Sequence, residues 1–298
     1  MSATAITLIL IAAVAHASWN LFSKQAAQTG AISFIWLAAT AATLLYIPVI
    51  AVAWAGGWLH LTALGWVFMA GTGVLESAYF VFLQSGYRLG DLSLVYPVGR
   101  GTGALLAAVA GIAFLGERPG PVAIGGIIAV VAGIALIGAP AQASAGPPAP
   151  PGHSEPASTV PAIGFALATG VFIASYTLWD RYAVATLGTS ALLQGYATFP
   201  FMAVVFALPA LRAKDRTALV WHRYRAQVAG AAVLMPLAYI LVLAALAFTA
   251  VSVVAPAREV SVLFGVLMGG RLLGEGSVAR RLTAAVAIAG GIIAIAVG

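Results

Sequence analysis

Four ionisable residues lie inside long apolar stretches of this sequence: Glu76, Arg100, Arg258 and Glu259. Their formal charges sum to zero. A charged side chain at the centre of a transmembrane helix costs at least about 2.5–3.5 kcal/mol, so such residues commonly mark a binding or transport site. A closed salt-bridge network would only orient helices, and apolar packing often stabilises a protein equally well. We therefore expect at least one of the four to line a cavity that binds a polar solute.

The depth of each charge in its apolar stretch indicates which charges can meet. At about 1.5 Å per residue, Glu76 lies about 20 Å from the start of its stretch and Arg100 about 12 Å into the next, antiparallel one. These depths match, and we predict a Glu76–Arg100 ion pair. Arg258 and Glu259 fall within about one helical turn of the same layer. Glu259 could therefore also contact Arg100, or a zwitterionic solute could bridge the two.

A polar stripe on the first apolar stretch is a second candidate for the cavity wall. His16, Trp19, Asn20 and Ser23 follow the spacing i, i+3, i+4, i+7, which puts them on one face of a helix. We expect this face to turn toward the cavity rather than toward lipid. His16 could act there as an interhelical hydrogen-bond donor or as a proton carrier.

The second half of the chain contains a similar polar stripe, formed by Tyr176, Thr177 and Asp180. Tyr176 corresponds to Trp19 and is expected to line the cavity. Asp180 lies near the end of its apolar stretch, where an anchor in the membrane interface is the more natural role for a carboxylate. We therefore expect Asp180 to be an interfacial residue rather than a ligand.

Pro97 and Pro256 each remove a backbone donor inside an apolar stretch. In lipid such a break persists only where neighbouring groups or water satisfy the freed carbonyls. We predict that the two prolines act as hinges or expose carbonyl ligands, with a static bend as the alternative. The complete set of predicted solute-binding residues is His16, Trp19, Asn20, Glu76, Tyr96, Arg100, Tyr176, Arg258 and Glu259.

The amino-acid composition indicates whether these residues lie in a water-soluble protein or in a membrane protein. Of 298 residues, 14 are Lys or Arg, 8 are Asp or Glu, and 62 % are hydrophobic. A soluble chain has about a quarter of its residues charged, and so few charges cannot cover so much apolar surface in water. A cytosolic enzyme, a nucleic-acid-binding protein and a disordered scaffold are therefore disfavoured. Because the chain has no cysteine, disulfides, thiolate metal sites and cysteine nucleophiles are excluded.

Ten apolar stretches approach the length of about 20 residues that an α-helix needs to cross a hydrocarbon core about 30 Å thick. They lie near residues 4–22, 31–55, 62–86, 92–115, 119–139, 160–179, 188–209, 228–248, 250–271 and 280–297. The sequence thus predicts an all-α integral membrane protein with ten transmembrane helices. Glu117 and Glu275 lie at the ends of stretches, where we expect them to be solvated or to cap a helix.

A proline-rich segment divides these stretches into five and five. Residues 140–161 hold seven of the fifteen prolines and few large apolar side chains, as extended linkers do. We predict one repeat over 1–139 and a second over 162–298. A shift of 157–159 residues aligns the halves, for example 115–117 with 273–275. Because five is odd, the second repeat must be inverted in the membrane, which is a construction typical of secondary transporters.

With these features the chain resembles the EamA family of the drug/metabolite transporter superfamily. The resemblance rests on the two five-helix halves, on Trp19-Asn20 and Lys24 closing the first helix, and on Pro97 and residues 115–117 bracketing the fourth. It covers nearly the whole chain outside the linker. It implies a carrier of small metabolites, amino acids among them, whose cavity lies between four-helix bundles with helices five and ten packed outside.

The expected function is a secondary transporter that moves a small polar metabolite, such as an amino acid or a related zwitterion, by alternating access. No phosphate-binding loop is encoded, and no cofactor, metal or catalytic residue is expected. Coupling to protons could use Glu76 or His16. The alternatives are a membrane-embedded enzyme acting on a lipid or isoprenoid and a non-transporting membrane subunit.

The expected partners are the small solute and the lipid bilayer, with no nucleic acid. Small residues at Gly125, Ala129 and Gly133 favour close helix approach, and helix five or ten could form a homodimer contact. The expected location is the inner (plasma) membrane of the cell. Ten Lys and Arg residues fall on loops opposite the termini and two on the side of the termini. The positive-inside rule therefore predicts both termini outside, whereas the family resemblance implies both inside.

Overall fold

The computed structural model describes residues 1–89, 92–138, 159–261 and 278–298, and the regular elements in these ranges are helices. They are α1 (Ala3–Ala55), α2 (Ala63–Leu89), α3 (Leu92–Phe114), α4 (Pro121–Gly138), α5 (Thr159–Ala185), α6 (Ala191–Val205), α7 (Ala207–Arg212), α8 (Lys214–Phe248), α9 (Val251–Ala257) and α10 (Val278–Val297). The predicted all-α class is confirmed for these four ranges.

Five segments of the described chain are long and apolar enough to cross a membrane: Ala3–Ser23, Thr29–Ala55, Ala63–Gly86, Val160–Ala185 and Lys214–Phe248. Shorter apolar helices lie at Val98–Phe114, Pro121–Leu136, Ala191–Val205 and Val286–Ile295. Each of these segments overlaps a predicted apolar stretch, but Lys214–Phe248 begins well before the predicted 228–248 and Val160–Ala185 ends after the predicted 160–179. The remaining stretch, near 250–271, contains α9 and is described only as far as residue 261. Helix length and composition thus identify a membrane protein.

α1 joins the first two predicted stretches into one kinked helix. The helix continues through the predicted connection and leaves helical geometry only at Gly30 (φ 175°, ψ 84°). A Cβ atom added to Gly30 would lie 3.0 Å from Cγ of Arg216, so the missing side chain lets α8 approach. α8 is itself kinked at Tyr224 (φ −126°, ψ 25°). The two long kinked helices pack against each other along much of their length.

Two apolar clusters pack the helices around a central cavity. The first joins α1, α2, α6 and α8, and its large members include Trp19, Phe34, Phe80, Phe199 and Met235. The second joins α1, α3, α5, α8 and α9, and its members include Ile9, Ala107, Ala174, Leu243 and Val254. Because lipid tails are as apolar as these side chains, close packing rather than escape from water stabilises such contacts in a membrane.

α4 and α10 pack against each other at three glycines. A Cβ atom built on Gly126 would lie 2.5 Å from the carbonyl oxygen of Gly291, and one built on Gly291 would lie 2.7 Å from that of Gly126. A Cβ atom on Gly133 would lie 3.0 Å from the carbonyl oxygen of Ala284. Glycine permits this backbone approach. Gly126 and Gly133 are thus in contact within the chain, whereas a Cβ atom on Gly125 would have nothing within 4 Å. The predicted homodimer contact through helix five or ten stays a prediction.

The predicted linker, residues 140–161, lies mostly outside the described residues. α5 begins at Thr159, so the last three residues assigned to the linker are helical. Pro161 is accommodated there because the N–H groups in the first turn of a helix have no helical partner, and a proline removes none of its hydrogen bonds.

Candidate functional site

A cavity of about 90 Å³ lies among α1, α2, α3, α5, α6, α8 and α9. Its charged lining residues are Glu76, Arg100 and Arg258. Its aromatic lining residues are Trp19, Tyr79, Phe80, Tyr176, Phe199 and Tyr239. Of the described helices, α4, α7 and α10 contribute no lining residue. Both halves of the chain therefore line one cavity, whose walls are mostly apolar and aromatic and include three charged side chains.

Six of the nine predicted solute-binding residues line this cavity: His16, Trp19, Glu76, Arg100, Tyr176 and Arg258. Glu259 lies behind two of them and is fully buried. Asn20 is not a lining residue, since its amide donates to the carbonyl oxygen of His16 at 2.8 Å. The side chain of Tyr96 lies outside the described part of the protein. The binding of a solute by these residues stays a prediction.

Arg100 pairs with Glu259, the second partner that the sequence analysis offered, and not with the preferred partner Glu76. Nε of Arg100 donates to Oε2 of Glu259 at 2.9 Å, and Nε of Arg258 donates to Oε1 of the same carboxylate at 3.4 Å. The predicted Glu76–Arg100 ion pair is therefore wrong. Depth along a helix fixes the height of a side chain but not the direction in which it points. α3 packs against α9, and this contact brings Glu259 to Arg100.

Arg258 has one guanidinium nitrogen that could donate a hydrogen bond to a further partner. It is 8 % exposed, and its Nη2 has no hydrogen-bond partner among the residues that the structure describes. Its Cζ lies 5.8 Å from the centroid of the Tyr176 ring, within the range of a cation–π interaction. A buried donor without a partner costs about 1–3 kcal/mol, and more on a charged group. An anionic group in the cavity would relieve this cost.

The backbone beside Arg258 departs from a continuous α-helix. α9 ends at Ala257, and the N–H of Glu259 donates to the carbonyl oxygen of Pro256, three residues earlier, at 3.0 Å. Such turns are tighter than the α-helix and redirect the chain. Pro97, in contrast, lies within the continuous helix α3, and its side chain is not among those described. The hinge role of the two prolines stays a prediction.

A carboxylate from the first half of the chain holds the start of α9. Glu117 accepts hydrogen bonds from the backbone N–H groups of Val251 and Ser252, both at 2.8 Å. A carboxylate at a helix N-terminus satisfies unpaired donors and opposes the positive end of the helix dipole. Of the two roles expected for Glu117, solvated or capping, the structure shows the capping one. Glu275, its counterpart in the repeat, lies outside the described residues.

His16 and Trp19 form a pair at the cavity wall. Nε1 of Trp19 donates to Nδ1 of His16 at 3.3 Å, and the rings meet edge to face with centroids 5.1 Å apart. An accepting Nδ1 places the proton of a neutral imidazole on Nε2. Among the described residues, no group of three or more His, Asp or Glu side chains is positioned to hold a metal ion.

Asp180 differs most from the sequence-based expectation. Instead of being an interfacial anchor it is fully buried. Its carboxylate accepts hydrogen bonds from Thr72 at 2.5 Å, from Gln194 at 3.0 Å and from the hydroxyl of Tyr239. These partners come from α2, α6 and α8, which cover this end of α5. Its spacing of four residues from Tyr176, which lines the cavity, was the sequence signal that could have found it.

Comparison with known proteins adds a family and a fold. Residues 3–139 match the EamA-like transporter family. No curated protein matches the sequence. In fold the chain is similar to several solved structures, among them one described as a crystal structure of a protein, with a TM-score of 0.69 and 18 % sequence identity. That similarity covers 99 % of this chain and 96 % of the other, and at this identity it concerns the fold alone.

Proposed function

The chain belongs, through its residues 3–139, to the EamA-like transporter family of the drug/metabolite transporter superfamily, and we propose that it is a secondary transporter of a small zwitterionic metabolite such as an amino acid. Family membership makes it a membrane transporter. Alternating access, the solute and a location in the inner (plasma) membrane of the cell are parts of the proposal. The support for the solute class comes from the cavity.

The observation that carries the proposal is the unpaired Nη2 of Arg258 in a cavity that also presents the carboxyl group of Glu76. A guanidinium group binds a carboxylate through strong charge-assisted hydrogen bonds, and a carboxylate binds an ammonium group in the same way. A single solute with one carboxylate and one ammonium group would satisfy both sides of the cavity.

The aromatic walls favour a solute that also has an apolar part. The rings of Tyr79 and Tyr176 meet edge to face at 6.0 Å, and those of Tyr176 and Tyr239 at 6.4 Å. Such rings offer apolar contact area together with negative faces that attract an ammonium group. The cavity therefore suits a small amphipathic zwitterion better than an inorganic ion.

Contacts between the halves support two inverted repeats of five transmembrane helices each. Under a shift of 158 residues, Gly126 corresponds to Ala284 and Gly133 to Gly291. If a two-fold axis relates the halves, each contact must occur a second time between the corresponding residues. The counterpart of the Gly126–Gly291 contact is then a contact between Ala284 and Gly133. Both contacts occur. Inverted repeats allow a carrier to rock around a fixed midplane site and open to each face in turn.

Counterflow in proteoliposomes tests the proposal. Purified protein is reconstituted with an unlabelled amino-acid mixture inside, and entry of the same radiolabelled amino acids is measured. We expect exchange by the wild type and by Arg212→Ala, whose side chain is exposed. Arg258→Ala should lose about ten- to a hundredfold of the exchange, because a hydrogen bond to a charged group contributes about 1.5–3 kcal/mol.

The same experiment separates the alternatives. A carrier exchanges labelled for unlabelled solute, whereas a lipid-modifying enzyme or a non-transporting subunit does not. If no amino acid exchanges, the same assay with organic acids and amines distinguishes a wrong solute class from a wrong function. Equal exchange by the wild type and Arg258→Ala would remove Arg258 from the binding site.

A further inference from the structure

The hydroxyl of Tyr239 is held by a residue behind the cavity wall. Tyr239 lines the cavity, and its hydroxyl donates to Oδ2 of Asp180. Asp180 is fully buried and is not a lining residue. A residue outside the cavity therefore determines the direction in which a hydroxyl at the wall points.

The position of this contact along the helices puts it at one end of the cavity. Asp180 lies one helical turn after Tyr176 on α5, and Thr72, which donates to Asp180, lies one turn before Glu76 on α2. Tyr176 and Glu76 both line the cavity. The hydroxyl of Tyr239 thus lies where the cavity ends toward the start of α2.

The hydrogen bonds around Asp180 all run toward its carboxyl group. Nε2 of Gln194 donates to Oδ1 at 3.0 Å and to the hydroxyl oxygen of Thr72 at 2.8 Å. Thr72 lies 2.5 Å from Oδ1, whereas its other acceptor, the carbonyl oxygen of Phe68, is at 3.0 Å and already accepts from Nε1 of Trp179. The partners of Asp180 among the described residues are therefore donors. A carboxyl group that only accepts is an ionised one, since the protonated form has a hydrogen to donate.

The charges near the cavity are balanced when Asp180 is ionised. The described helices present three carboxyl and three guanidinium groups there: Glu76, Asp180, Glu259, Arg100, Arg181 and Arg258. Nε and Nη1 of Arg181, which follows Asp180 in the chain, are buried and have no partner among the described residues. His16 is neutral, because its Nδ1 accepts a hydrogen bond and an imidazolium has no acceptor. The carboxylate of Asp180 therefore needs no proton to make this part of the protein neutral.

The single hydrogen of the Tyr239 hydroxyl is directed at Asp180. A tyrosine hydroxyl has one hydrogen to donate and accepts with the lone pairs of its oxygen, so Tyr239 has no hydrogen left for a solute. We propose that Asp180 is a positioning residue that fixes Tyr239 as a hydrogen-bond acceptor, and that Tyr239 thereby selects a solute with a donor group at this end of the cavity. This assignment deepens the proposed function and rests on it for the identity of that donor, the ammonium group of a zwitterion.

Tyr239 and Arg258 give the cavity two opposite hydrogen-bonding groups. Nη2 of Arg258 is a donor without a partner among the described residues, and the oxygen of Tyr239 is an acceptor. Both side chains lie beside the ring of Tyr176, whose centroid is 5.8 Å from Cζ of Arg258 and 6.4 Å from the centroid of the Tyr239 ring. A solute that carries a carboxylate and an ammonium group close together matches this pair of groups.

A fixed acceptor also rejects a solute that offers a second acceptor. A keto acid has the carbon skeleton of an amino acid, with a carbonyl oxygen in place of the ammonium group. That oxygen would face the oxygen of Tyr239 with no hydrogen between them. A site built to bind a donor discriminates strongly against an analogue without it, because the buried polar group of the site is then unpaired.

Asp180→Asn should reverse the hydroxyl of Tyr239 while keeping the shape of the side chain. Thr72 and Gln194 donate to Oδ1 and would hold the amide oxygen at that position. The amide NH2 group then takes the position of Oδ2 and donates to Tyr239. The hydrogen of Tyr239 turns away from residue 180, so that Tyr239 becomes a donor for a solute.

Infrared spectroscopy of the purified protein in lipid tests the direction of the hydroxyl without any solute. The C–O stretching band of a tyrosine has one frequency when the hydroxyl donates and another when it accepts. The difference spectrum between the wild type and Tyr239→Phe isolates this band, and we expect it at the donor position. Asp180→Asn should move it toward the acceptor position. Asp215→Asn, in an exposed position at the start of α8, should leave it unchanged.

The spectra are decisive even if one variant folds poorly. The band isolated with Tyr239→Phe needs no variant of Asp180, and the shift caused by Asp180→Asn needs no variant of Tyr239. A wild-type band at the acceptor position, or a band that Asp180→Asn does not move, overturns the proposal.

Counterflow in proteoliposomes with two matched solutes tests the selection. The solutes are L-valine and 2-oxoisovalerate, its keto acid. We expect Tyr239→Phe to raise the half-saturation concentration for valine about ten- to a hundredfold at a similar maximal rate, because a hydrogen bond to a charged group is lost. Asp180→Asn should raise it at least as much and should lower the half-saturation concentration for the keto acid. Asp215→Asn should match the wild type with both solutes.

The two measurements separate this proposal from the proposed function. Equal half-saturation concentrations of the wild type and Tyr239→Phe for valine overturn the selection and leave the carrier function intact. A lower maximal rate of Asp180→Asn with unchanged half-saturation for both solutes would make Asp180 a structural residue and overturn its positioning role. A donor band that Asp180→Asn reverses, in a protein that exchanges no amino acid, contradicts the proposed solute and supports the fixed hydroxyl.

Discussion

Arg100 and Glu259 are separated by 159 positions in the chain, yet their side chains form a buried salt bridge of 2.9 Å. The bridge joins α3 of the first half to the end of α9 in the second. Glu259 also accepts from Arg258, so one carboxylate holds two guanidinium groups at the cavity wall. The charges that the sequence shows as isolated are thus one connected group.

This salt bridge should dominate the stability of the contact between the halves. We expect Glu259→Met to lower the free energy of unfolding by about 3–5 kcal/mol, because it leaves buried guanidinium groups without their carboxylate. Arg100→Met should have a cost of similar size. The double variant should lose less than the sum of the two, as measured by denaturant unfolding in detergent. Additive losses would show that the two side chains do not interact.

The cap on α9 should contribute less but in a measurable way. Glu117→Ala removes the acceptor of two backbone N–H groups, and we expect a loss of about 1–3 kcal/mol in the free energy of unfolding. Glu117→Gln keeps one acceptor oxygen in place and should recover part of the loss. Thermal unfolding of the three proteins in the same detergent measures the order. Equal stability of all three would contradict the capping role.

The glycine contact between α4 and α10 allows a matched comparison on one helix. A Cβ atom on Gly126 would lie 2.5 Å from a backbone oxygen, whereas one on Gly125 would have nothing within 4 Å. We expect Gly126→Ala to lower the free energy of unfolding by about 1–3 kcal/mol through overpacking. Gly125→Ala should be neutral or slightly stabilising, because alanine favours the helix. Similar effects of both substitutions would contradict the close contact.

The distribution of Lys and Arg residues predicts an orientation in the membrane. Met1 and Gly298 line the same surface pocket, so both termini lie on one face. By the sequence-predicted boundaries, ten Lys and Arg residues fall on the side opposite the termini and two on the side of the termini, and the positive-inside rule therefore predicts that the termini lie outside. We expect a reporter that is active only in the cytoplasm to be inactive when fused after Gly298. An active fusion would mean that the second-half charges do not set the orientation.

Local sequence was sufficient for the helices because each is a property of a continuous segment. A stretch of about 20 apolar residues has few options in lipid other than a helix. The predicted connection between the first two stretches is instead helical as far as Gly30. There the chain kinks where Arg216 and Val220 of α8 lie against the glycine, and no local signal describes that contact.

The sequence was also sufficient to identify candidate charged residues of the site, because a charged residue inside an apolar stretch can be recognised without knowing its neighbours in space. Glu76, Arg100 and Arg258 could therefore be assigned in advance to one layer near mid-membrane. The sequence could not choose between Glu76 and Glu259 as the partner of Arg100, because a partner depends on the rotation of each helix about its axis and on which helices pack together.

Tertiary structure alone decided the arrangement that gives the site its chemistry. Because α3 packs against α9, Arg100 forms a salt bridge with Glu259. Asp180 is buried because α2, α6 and α8 pack over the end of α5. Burial is a sum over neighbours that are distant in the chain, so a carboxylate near a helix end looks the same in sequence whether water or three hydrogen-bond donors surround it. The apolar composition thus indicates that the protein lies in a membrane, whereas the packing of its helices decides which buried charges and donors meet.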